Sequence, residues 1–252
     1  MKAIVFAAGI GSRLKPFTDS HPKALAPVAG HPALWHVVSA LKRAGVTEMV
    51  VNVHHFANQV IDYINSQDCF GITMHISDET GRLLETGGGI VKAAGWLDGD
   101  EPFIAHNADI ITDIDLAAMY RQHIDSHADV TLLATPRQTS RYLYFDRDTN
   151  RLAGWTNEKT GQSRPDGFQP DPATQNKLAF GGVHVISAPA LHNMQRYAPQ
   201  GQPFSVTPFY VDNAATLNIQ AFTPQPGHLW CDIGTPETLE RADSLIKQRN
   251  NH

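Results

Sequence analysis

Continuous apolar runs alternate with amphipathic segments along the first half of the chain. Residues 3–8 form an uninterrupted apolar run that stops at Gly9, a pattern typical of a buried strand in a parallel sheet. Residues 32–44 place apolar side chains at helical spacing and are followed by Gly45, a common helix terminator. The pattern therefore predicts that the chain begins with a strand, a loop and an amphipathic helix.

The same alternation continues as far as residue 134. Further predicted strands cover residues 48–53, 72–76, 102–105 and 130–134, and predicted helices lie near residues 56–64, after Gly89 and from Leu116. Strands that alternate with helices in this way indicate an α/β fold with a doubly wound, Rossmann-like mixed sheet. Ligands of such sheets bind at the carboxyl ends of the strands, so we expect the functional residues there.

Residues 137–178 interrupt this alternation. Gly, Pro, Asn, Asp and Thr dominate the segment, so hairpins or long loops are expected rather than helices. Beyond it, predicted strands cover residues 179–186, 217–222 and 228–231, and predicted helices cover residues 188–197 and 236–249. We expect one domain, residues 1–252, in which residues 137–178 form an inserted region over the binding site.

Composition and charge narrow the classes of function. The chain has 252 residues, of which 42% are hydrophobic and 18% charged, as in a folded globular domain. Its net charge of -5 argues against a general nucleic-acid binder, because such proteins carry a basic surface. Cys69 and Cys231 form no CxxC pair, so we expect no disulfide framework or zinc site and a cytoplasmic location. The first apolar run is too short to cross a membrane and lacks a signal-peptide pattern, so no membrane partner is expected.

The loop after the first strand, AAGIGSRLKPFT, combines glycines with cations. Gly9 and Gly11 allow backbone N–H groups to approach a phosphate closely. Arg13 and Lys23 could neutralise a triphosphate, whereas Lys15 is better explained as a solvated surface charge. The loop lacks both the third glycine of the dinucleotide fingerprint and the GK[ST] of a Walker loop. The sequence therefore predicts a phosphate-binding loop of another kind.

Four segments of the chain resemble signatures of one family, the sugar-1-phosphate nucleotidyltransferases. They are GIGSRLKPFTDSHPKALAPVAGHP, LETGGGIVKA, HNADIITDID and WCDIGTPETLERADSLI. The resemblance covers most of the chain outside residues 137–178. It implies a Mg²⁺-dependent reaction in which a sugar 1-phosphate and a nucleoside triphosphate form a nucleotide sugar and pyrophosphate, with the inserted region over the sugar site.

The resemblance also assigns roles to individual residues. It implies that Arg13 and Lys23 bind the triphosphate and the leaving pyrophosphate. It further implies that Asp109 and Asp232 hold Mg²⁺, which completes the catalytic set. Other expected nucleotide-binding residues are Ala8, Gly9, Gly11, Ser12, Gly87 and Gly88, and the expected sugar-phosphate-binding residues are Asn107, Glu158, Lys159 and Gly182. In-line phosphoryl transfer needs such residue types, because it depends on alignment and on neutralisation of charge.

Two positions depart from the family pattern, and two carboxylates near Asp109 are interpreted as structural residues rather than metal ligands. Ala108 replaces the usual Gly before the metal-binding Asp, and Thr160 replaces the Pro that commonly follows the Glu-Lys pair. Asp115 directly precedes the helical run from Leu116 and is interpreted as its N-cap, with Asp113 in the approaching turn.

Within the family, we expect UTP and N-acetylmuramate 1-phosphate as substrates. GTP with mannose or heptose 1-phosphate is the main alternative, and no motif decides the base. A lactyl carboxylate would need a cationic partner, for which Lys159, Arg164 and Lys177 are candidates. We expect a monomer or a dimer.

Two other classes of protein are weaker alternatives. A glycosyltransferase that binds metal through Asp113 and Asp115 would not need the cations of the first loop. A non-catalytic nucleotide-sugar-binding protein would not need to retain both Asp109 and Asp232.

Overall fold

The computed structural model describes residues 1–250, and residues 251 and 252 of the predicted domain lie outside the described residues. The strands are β1 (Lys2–Phe6), β2 (Pro27–Val28), β3 (His31–Pro32), β4 (Glu48–Val53), β5 (Thr73–Asp78), β6 (Phe103–Asn107), β7 (Ile110–Thr112), β8 (Val130–Thr135), β9 (Arg141–Asp146), β10 (Leu152–Asn157), β11 (Gln162–Arg164), β12 (Gln175–Ile186), β13 (Ile219–Phe222) and β14 (Trp230–Asp232). The helices are α1 (Ala33–Arg43), α2 (Ala57–Ser66), α3 (Glu85–Leu97), α4 (Leu116–Asp125), α5 (Ala188–Tyr197), α6 (Val206–Asp212) and α7 (Pro236–Asn250).

The main sheet has the strand order β5-β4-β1-β6-β12-β8-β13. Strands β5, β4, β1 and β6 are parallel, β12 runs antiparallel to both β6 and β8, and β13 is parallel to β8. This arrangement confirms the predicted α/β fold with a mixed sheet. No helix within residues 1–250 combines the length and the apolar character needed to cross a membrane.

The inserted region is more regular than a set of loops. Strands β9, β10 and β11 pair antiparallel with one another, and β9 also pairs with the first part of β12. The pairing of β12 with β8 shifts between Phe180 and His184, where Gly182 has a φ of 76°. A Cβ on Gly181 would lie 2.6 Å from Leu133 Cγ. Strand β12 therefore passes from the inserted strands to the main sheet through a bulge that needs glycine.

Helices cover both faces of the sheet because alternate residues of its strands point to opposite sides. Ile4 of β1 packs in one core with α3, α5 and α6, while Ala3 and Val5 pack in the other core with α1, α2 and α4. A third, smaller core joins α7 and the first loop to β7 and β14. It thereby packs α7 against residues that follow the first strand.

Most predicted elements agree with the structure, and the differences have local causes. Strand β4 and helix α5 have the predicted bounds. The prediction that a helix begins after Gly89 is wrong, because α3 begins at Glu85 and includes three consecutive glycines. Glycine is a poor helix former, but the N–H groups of Gly87 and Gly88 both donate to the Phe204 carbonyl, so a tertiary contact supports this helix start.

Candidate active site

The carboxyl ends of three neighbouring parallel strands meet at one edge of the sheet. Phe6, the last residue of β1, is in register with Asn52 of β4 and with Asn107 of β6. The loops that follow these strands surround a cavity of about 220 Å³. Predicted residues that line this cavity are Ala8, Gly9, Lys23, Asn107 and Asp109. The fold thus gathers part of the predicted site in one place.

The first loop is fixed by a buried polar pair that the sequence analysis did not identify. Asn52 Oδ1 accepts hydrogen bonds from the N–H groups of Ala7 and Ala8, at 2.7 and 3.2 Å. Asn52 Nδ2 donates to Glu79 Oε1 at 2.8 Å, and Glu79 Oε2 accepts from the N–H of Leu84 at 3.0 Å. Polar residues at the ends of apolar strands were the signal that could have found this pair.

The next part of the loop leaves its backbone donors available. In the part of the chain that the structure describes, the N–H groups of residues 9–11 have no hydrogen-bond partner. Gly11 has a φ of 68°, and a Cβ there would lie 2.9 Å from Thr18 Cγ2 and 3.0 Å from Lys23 Cβ. Glycine at this position therefore allows the segment carrying Lys23 to pack directly on the loop.

Asp109 and Asp232 are 123 positions apart in sequence and adjacent in space. Strands β7 and β14 pair antiparallel with Asp232 opposite Ile110, and the N–H of Ile233 donates to the Asp109 carbonyl at 3.0 Å. Burial raises the pKa of the neighbouring Cys231 thiol, so this sulfur stays protonated and is a poor metal ligand. The β7–β14 pair therefore presents two carboxylates and no competing thiolate.

Lys23 lies between these two carboxylates. Its side chain is 11% exposed, its Nζ contacts Asp109 Oδ2 directly, and it lies 3.9 Å from Asp232 Oδ1. Asp232 Oδ1 is buried and has no hydrogen-bond partner among the described residues. An unsatisfied buried carboxylate oxygen next to a second carboxylate fits a hard divalent cation that completes its coordination with water and phosphate oxygens. No group of three or more His, Cys, Asp or Glu within residues 1–250 forms an all-protein metal cage.

Gly234 lies between Arg13 and Asp232, a position that the sequence analysis missed. A Cβ on Gly234 would lie 2.7 Å from Asp232 Oδ1 and 2.9 Å from Arg13 Nη2. Real Cβ atoms essentially never show distances this short, so the absence of a side chain is what allows both groups to lie against the backbone of Gly234. The sequence signal for this position was Gly234 itself, the glycine of the DIGT segment, because no turn there requires a glycine.

Gly87 and Gly88 contact protein rather than open space. A Cβ on Gly87 would lie 2.2 Å from the Phe204 ring, and one on Gly88 would lie 2.5 Å from the Gln202 carbonyl oxygen. Close packing thus explains both glycines without a ligand. Their role in nucleotide binding stays a prediction, as does that of Ser12, which is exposed in the first loop.

A second, larger cavity of about 750 Å³ lies under the inserted strands. Its polar lining includes Arg137, Arg141, Asn157, Arg164 and Asp166, and its aromatic lining includes Trp155 and Phe180. The two cavities share no lining residue. The site therefore offers two separate compartments, the smaller of which is lined by Asp109.

Only some of the predicted sugar-phosphate-binding residues lie beside a cavity. Asn107 lines the smaller cavity, and a Cβ on Gly182 would lie 3.0 Å from Asn107 Nδ2, so Gly182 is beside the site. Glu158 forms an ion pair with Lys177, whose ammonium also lies 4.0 Å from the centre of the Tyr142 ring. Lys159 is exposed and lines neither cavity.

Asp113, Asp115 and Lys15, to which the sequence analysis assigned no catalytic role, each bind a partner within the protein. Asp115 Oδ1 accepts a hydrogen bond from the N–H of Ala118 at 2.8 Å, which confirms it as the N-cap of α4. Asp113 accepts from the N–H of Leu229 and pairs with Arg249, so it is part of the β7–β14 connection. Lys15 pairs with an exposed Asp on its own turn. These contacts remove the basis for a metal site at Asp113 and Asp115.

Comparisons with known proteins agree with this geometry. A family model described as nucleotidyl transferase matches residues 2–249. The N-acetylmuramate alpha-1-phosphate uridylyltransferase of Neisseria meningitidis is 40% identical over 97% of this chain and 98% of its own length. The enzyme of the same description from Caulobacter vibrioides is 29% identical, over 98% of this chain and 97% of its own. A solved structure from Bacillus anthracis, in complex with a sucrose, has a TM-score of 0.80 at 18% identity and covers 97% of this chain and 94% of that one.

Proposed function

Because the chain belongs to the nucleotidyl transferase family, we propose that it transfers a uridylyl group from UTP to N-acetylmuramate 1-phosphate and releases pyrophosphate. Nucleotidyl transfer to a sugar 1-phosphate is the general reaction that the family and the relatives support. The observation that carries the proposal is the cluster of Asp109, Asp232, Lys23 and Arg13, of which Asp109 and Lys23 line the smaller cavity. Two anionic substrates can meet at such a cluster.

The two carboxylates are the proposed ligands of Mg²⁺, and the family generally depends on a divalent metal. When bound, the ion supplies positive charge to the reacting phosphate oxygens and orients them. Lys23 and Arg13 contribute further positive charge where the pyrophosphate leaves. The free N–H groups of residues 9–11 supply hydrogen-bond donors for the same phosphates.

The larger cavity supports an acidic sugar as the second substrate. Three guanidinium groups, those of Arg137, Arg141 and Arg164, line it together with one carboxylate, that of Asp166. A neutral hexose 1-phosphate carries one anionic group, whereas a lactyl-bearing sugar 1-phosphate carries two. Of the candidates predicted for the lactyl group, Arg164 lines this cavity, while Lys159 and Lys177 do not. The sequence analysis missed Arg141, which we add as a candidate.

Location and assembly remain part of the proposal. Cys69 and Cys231 are free thiols, as expected in the reducing cytoplasm that we propose. A monomer or a dimer stays our prediction for the oligomeric state.

The test is a screen for pyrophosphate release with the four common nucleoside triphosphates against a panel of sugar 1-phosphates. UTP with N-acetylmuramate 1-phosphate should give the highest kcat/KM. A kcat/KM at least about tenfold higher for GTP with mannose 1-phosphate, equivalent to about 1.4 kcal/mol, would replace the proposed pair with a guanylyl reaction.

The metal assignment has its own test with a matched control. Asp109→Asn and Asp232→Asn should each abolish turnover without unfolding the protein, because each removes a charged ligand of the ion. Asp115→Asn should keep wild-type activity, since Asn is also a good N-cap. Near wild-type kcat for both site variants, measured with Mg²⁺ present, would exclude this metal site.

A further inference from the structure

Arg137 is held at the boundary between the larger cavity and the carboxylate cluster. It follows the carboxyl end of β8 by two residues and lines the larger cavity. Its Nη2 donates to the Phe180 carbonyl at 2.8 Å, and its guanidinium lies 4.1 Å from the centre of the Trp230 ring. The Trp230 ring is itself fixed, because its Nε1 donates to the Gly181 carbonyl at 2.9 Å. The guanidinium is therefore preorganised before any substrate binds.

Much of the hydrogen-bonding capacity of this guanidinium is unused. An arginine has five N–H donors, and the Phe180 carbonyl takes one of them. The Arg137 Nε is buried and has no hydrogen-bond partner among the described residues. A buried charged donor without a partner is costly to a fold, and the other guanidinium donors remain available to an acceptor in the larger cavity.

The Trp230 ring places Arg137 on the same side of β14 as Asp232. Residues two apart on a strand point to the same face, with a rise of about 6.6–6.8 Å between them. Burial lowers the pKa of Arg137, and the negative charge of Asp232 acts in the opposite direction. Arg13 and Lys23 approach the same carboxylates from the first loop instead.

We propose that Arg137 binds the phosphate of the acceptor sugar 1-phosphate and aligns it for attack on the α-phosphate. This assignment rests on the proposed function. An acceptor phosphate oxygen forms a bond to the α-phosphorus, the bond from that phosphorus to the oxygen of the β-phosphate breaks, and its electron pair leaves on pyrophosphate. In-line transfer requires the attacking and leaving oxygens on opposite sides of the α-phosphorus. Separate cations for the two anions, Arg137 for one and Arg13 with Lys23 for the other, meet that requirement.

Other cations of the inserted region are less suited to this role. Arg164 Nη1 pairs with Asp212 at 3.0 Å, and Lys159 lines neither cavity. Arg141 is exposed at the start of β9. Of the three arginines in the cavity, Arg137 is the one that stacks on β14. A fixed, planar guanidinium can bind two phosphate oxygens at once.

The test compares Arg137→Met and Arg137→Lys with the control Arg121→Met, using the acceptor and triphosphate that the wild-type enzyme turns over fastest. Arg121 is an exposed arginine of α4 that lines neither cavity. If no sugar 1-phosphate is turned over, the proposed function fails. If one is, Arg137→Met should raise the KM for that acceptor by about 10- to 100-fold, as expected for a lost charge-assisted hydrogen bond. The KM for the triphosphate should stay within about twofold, and Arg137→Lys should show a smaller loss.

Two outcomes would overturn the assignment. One is an unchanged acceptor KM, or equal changes in both KM values, in Arg137→Met. If that variant is too unstable to assay, the same comparison in Arg137→Lys decides. The other is a loss confined to acceptors that carry a carboxylate, because a ligand of the phosphate must affect competitive binding of N-acetylglucosamine 1-phosphate as well. Arg121→Met should leave the KM for both acceptors unchanged.

Discussion

Gly234→Ala should impair catalysis while leaving the fold intact. The new Cβ would lie 2.7 Å from Asp232 Oδ1 and 2.9 Å from Arg13 Nη2, whereas ordinary contacts begin at 3.4 Å. To restore ordinary contacts, Asp232 Oδ1 must therefore move by about 0.7 Å and Arg13 Nη2 by about 0.5 Å. Gly234 does not have a positive φ, so alanine fits its backbone conformation without strain.

The expected loss follows from the displacement. A misplacement of about 1 Å in an aligned phosphoryl-transfer site costs about 100-fold in rate, so we expect kcat to fall by about 10- to 100-fold, or about 1.4–2.7 kcal/mol. Because Asp232 is a proposed metal ligand, the Mg²⁺ concentration for half-maximal rate should rise as well. The midpoint of thermal unfolding should change by only a few degrees, since the clash falls on side-chain ends.

The assay is pyrophosphate release at saturating substrates and at several Mg²⁺ concentrations, with thermal unfolding measured on the same samples. Gly95→Ala is the matched control, because Gly95 is exposed on α3 and a Cβ there would meet no atom within 4 Å. Activity of Gly234→Ala within about twofold of wild type, with unchanged Mg²⁺ dependence, would show that the positions of Arg13 and Asp232 against Gly234 have no catalytic importance.

Three further predictions test the site, the packing and the buried histidines. Lys23→Met should lower kcat much more than it raises the KM for the sugar phosphate, because the leaving pyrophosphate gains charge in the transition state. A change in that KM alone would show that Lys23 binds the sugar phosphate instead of the triphosphate. Gly87→Ala should destabilise the protein by about 1–3 kcal/mol in urea denaturation through overpacking on Phe204, and adding Phe204→Leu should recover part of the loss. Burial lowers the pKa of His123 to about 4 and that of His184 to about 3. Below about pH 6.5 the unfolded state therefore binds more protons than the folded state, so the free energy of unfolding should fall as the pH drops from about 6.5 towards 4. The measurement is urea denaturation at pH 7.5, 6 and 5, and a constant free energy of unfolding would contradict this prediction.

Local signals in the sequence determined most of the secondary structure. Apolar runs and helical periodicity predicted the full bounds of β4 and α5. The position of Asp115 directly before Leu116 correctly predicted that it caps α4. These features depend on residues close together in the chain, so the pattern alone specifies them. The family resemblance likewise named Lys23, Asp109 and Asp232 from short motifs.

Tertiary structure decided how those residues meet and which others support them. The β7–β14 register joins Asp109 to Asp232, and no periodicity in either segment contains that pairing. Asn52 and Glu79 fix the first loop through contacts between separate strands, and Gly234 matters only because Arg13 approaches it from the other end of the chain.

Arg137 shows the same division most clearly. In sequence it is one cation in a segment rich in turns, with no motif around it. Its importance comes from Phe180 and Trp230, which lie on two other strands and fix its guanidinium on the same side of β14 as Asp232. Side-chain chemistry is encoded residue by residue, whereas the distances that turn it into a site come from strand pairing between distant segments.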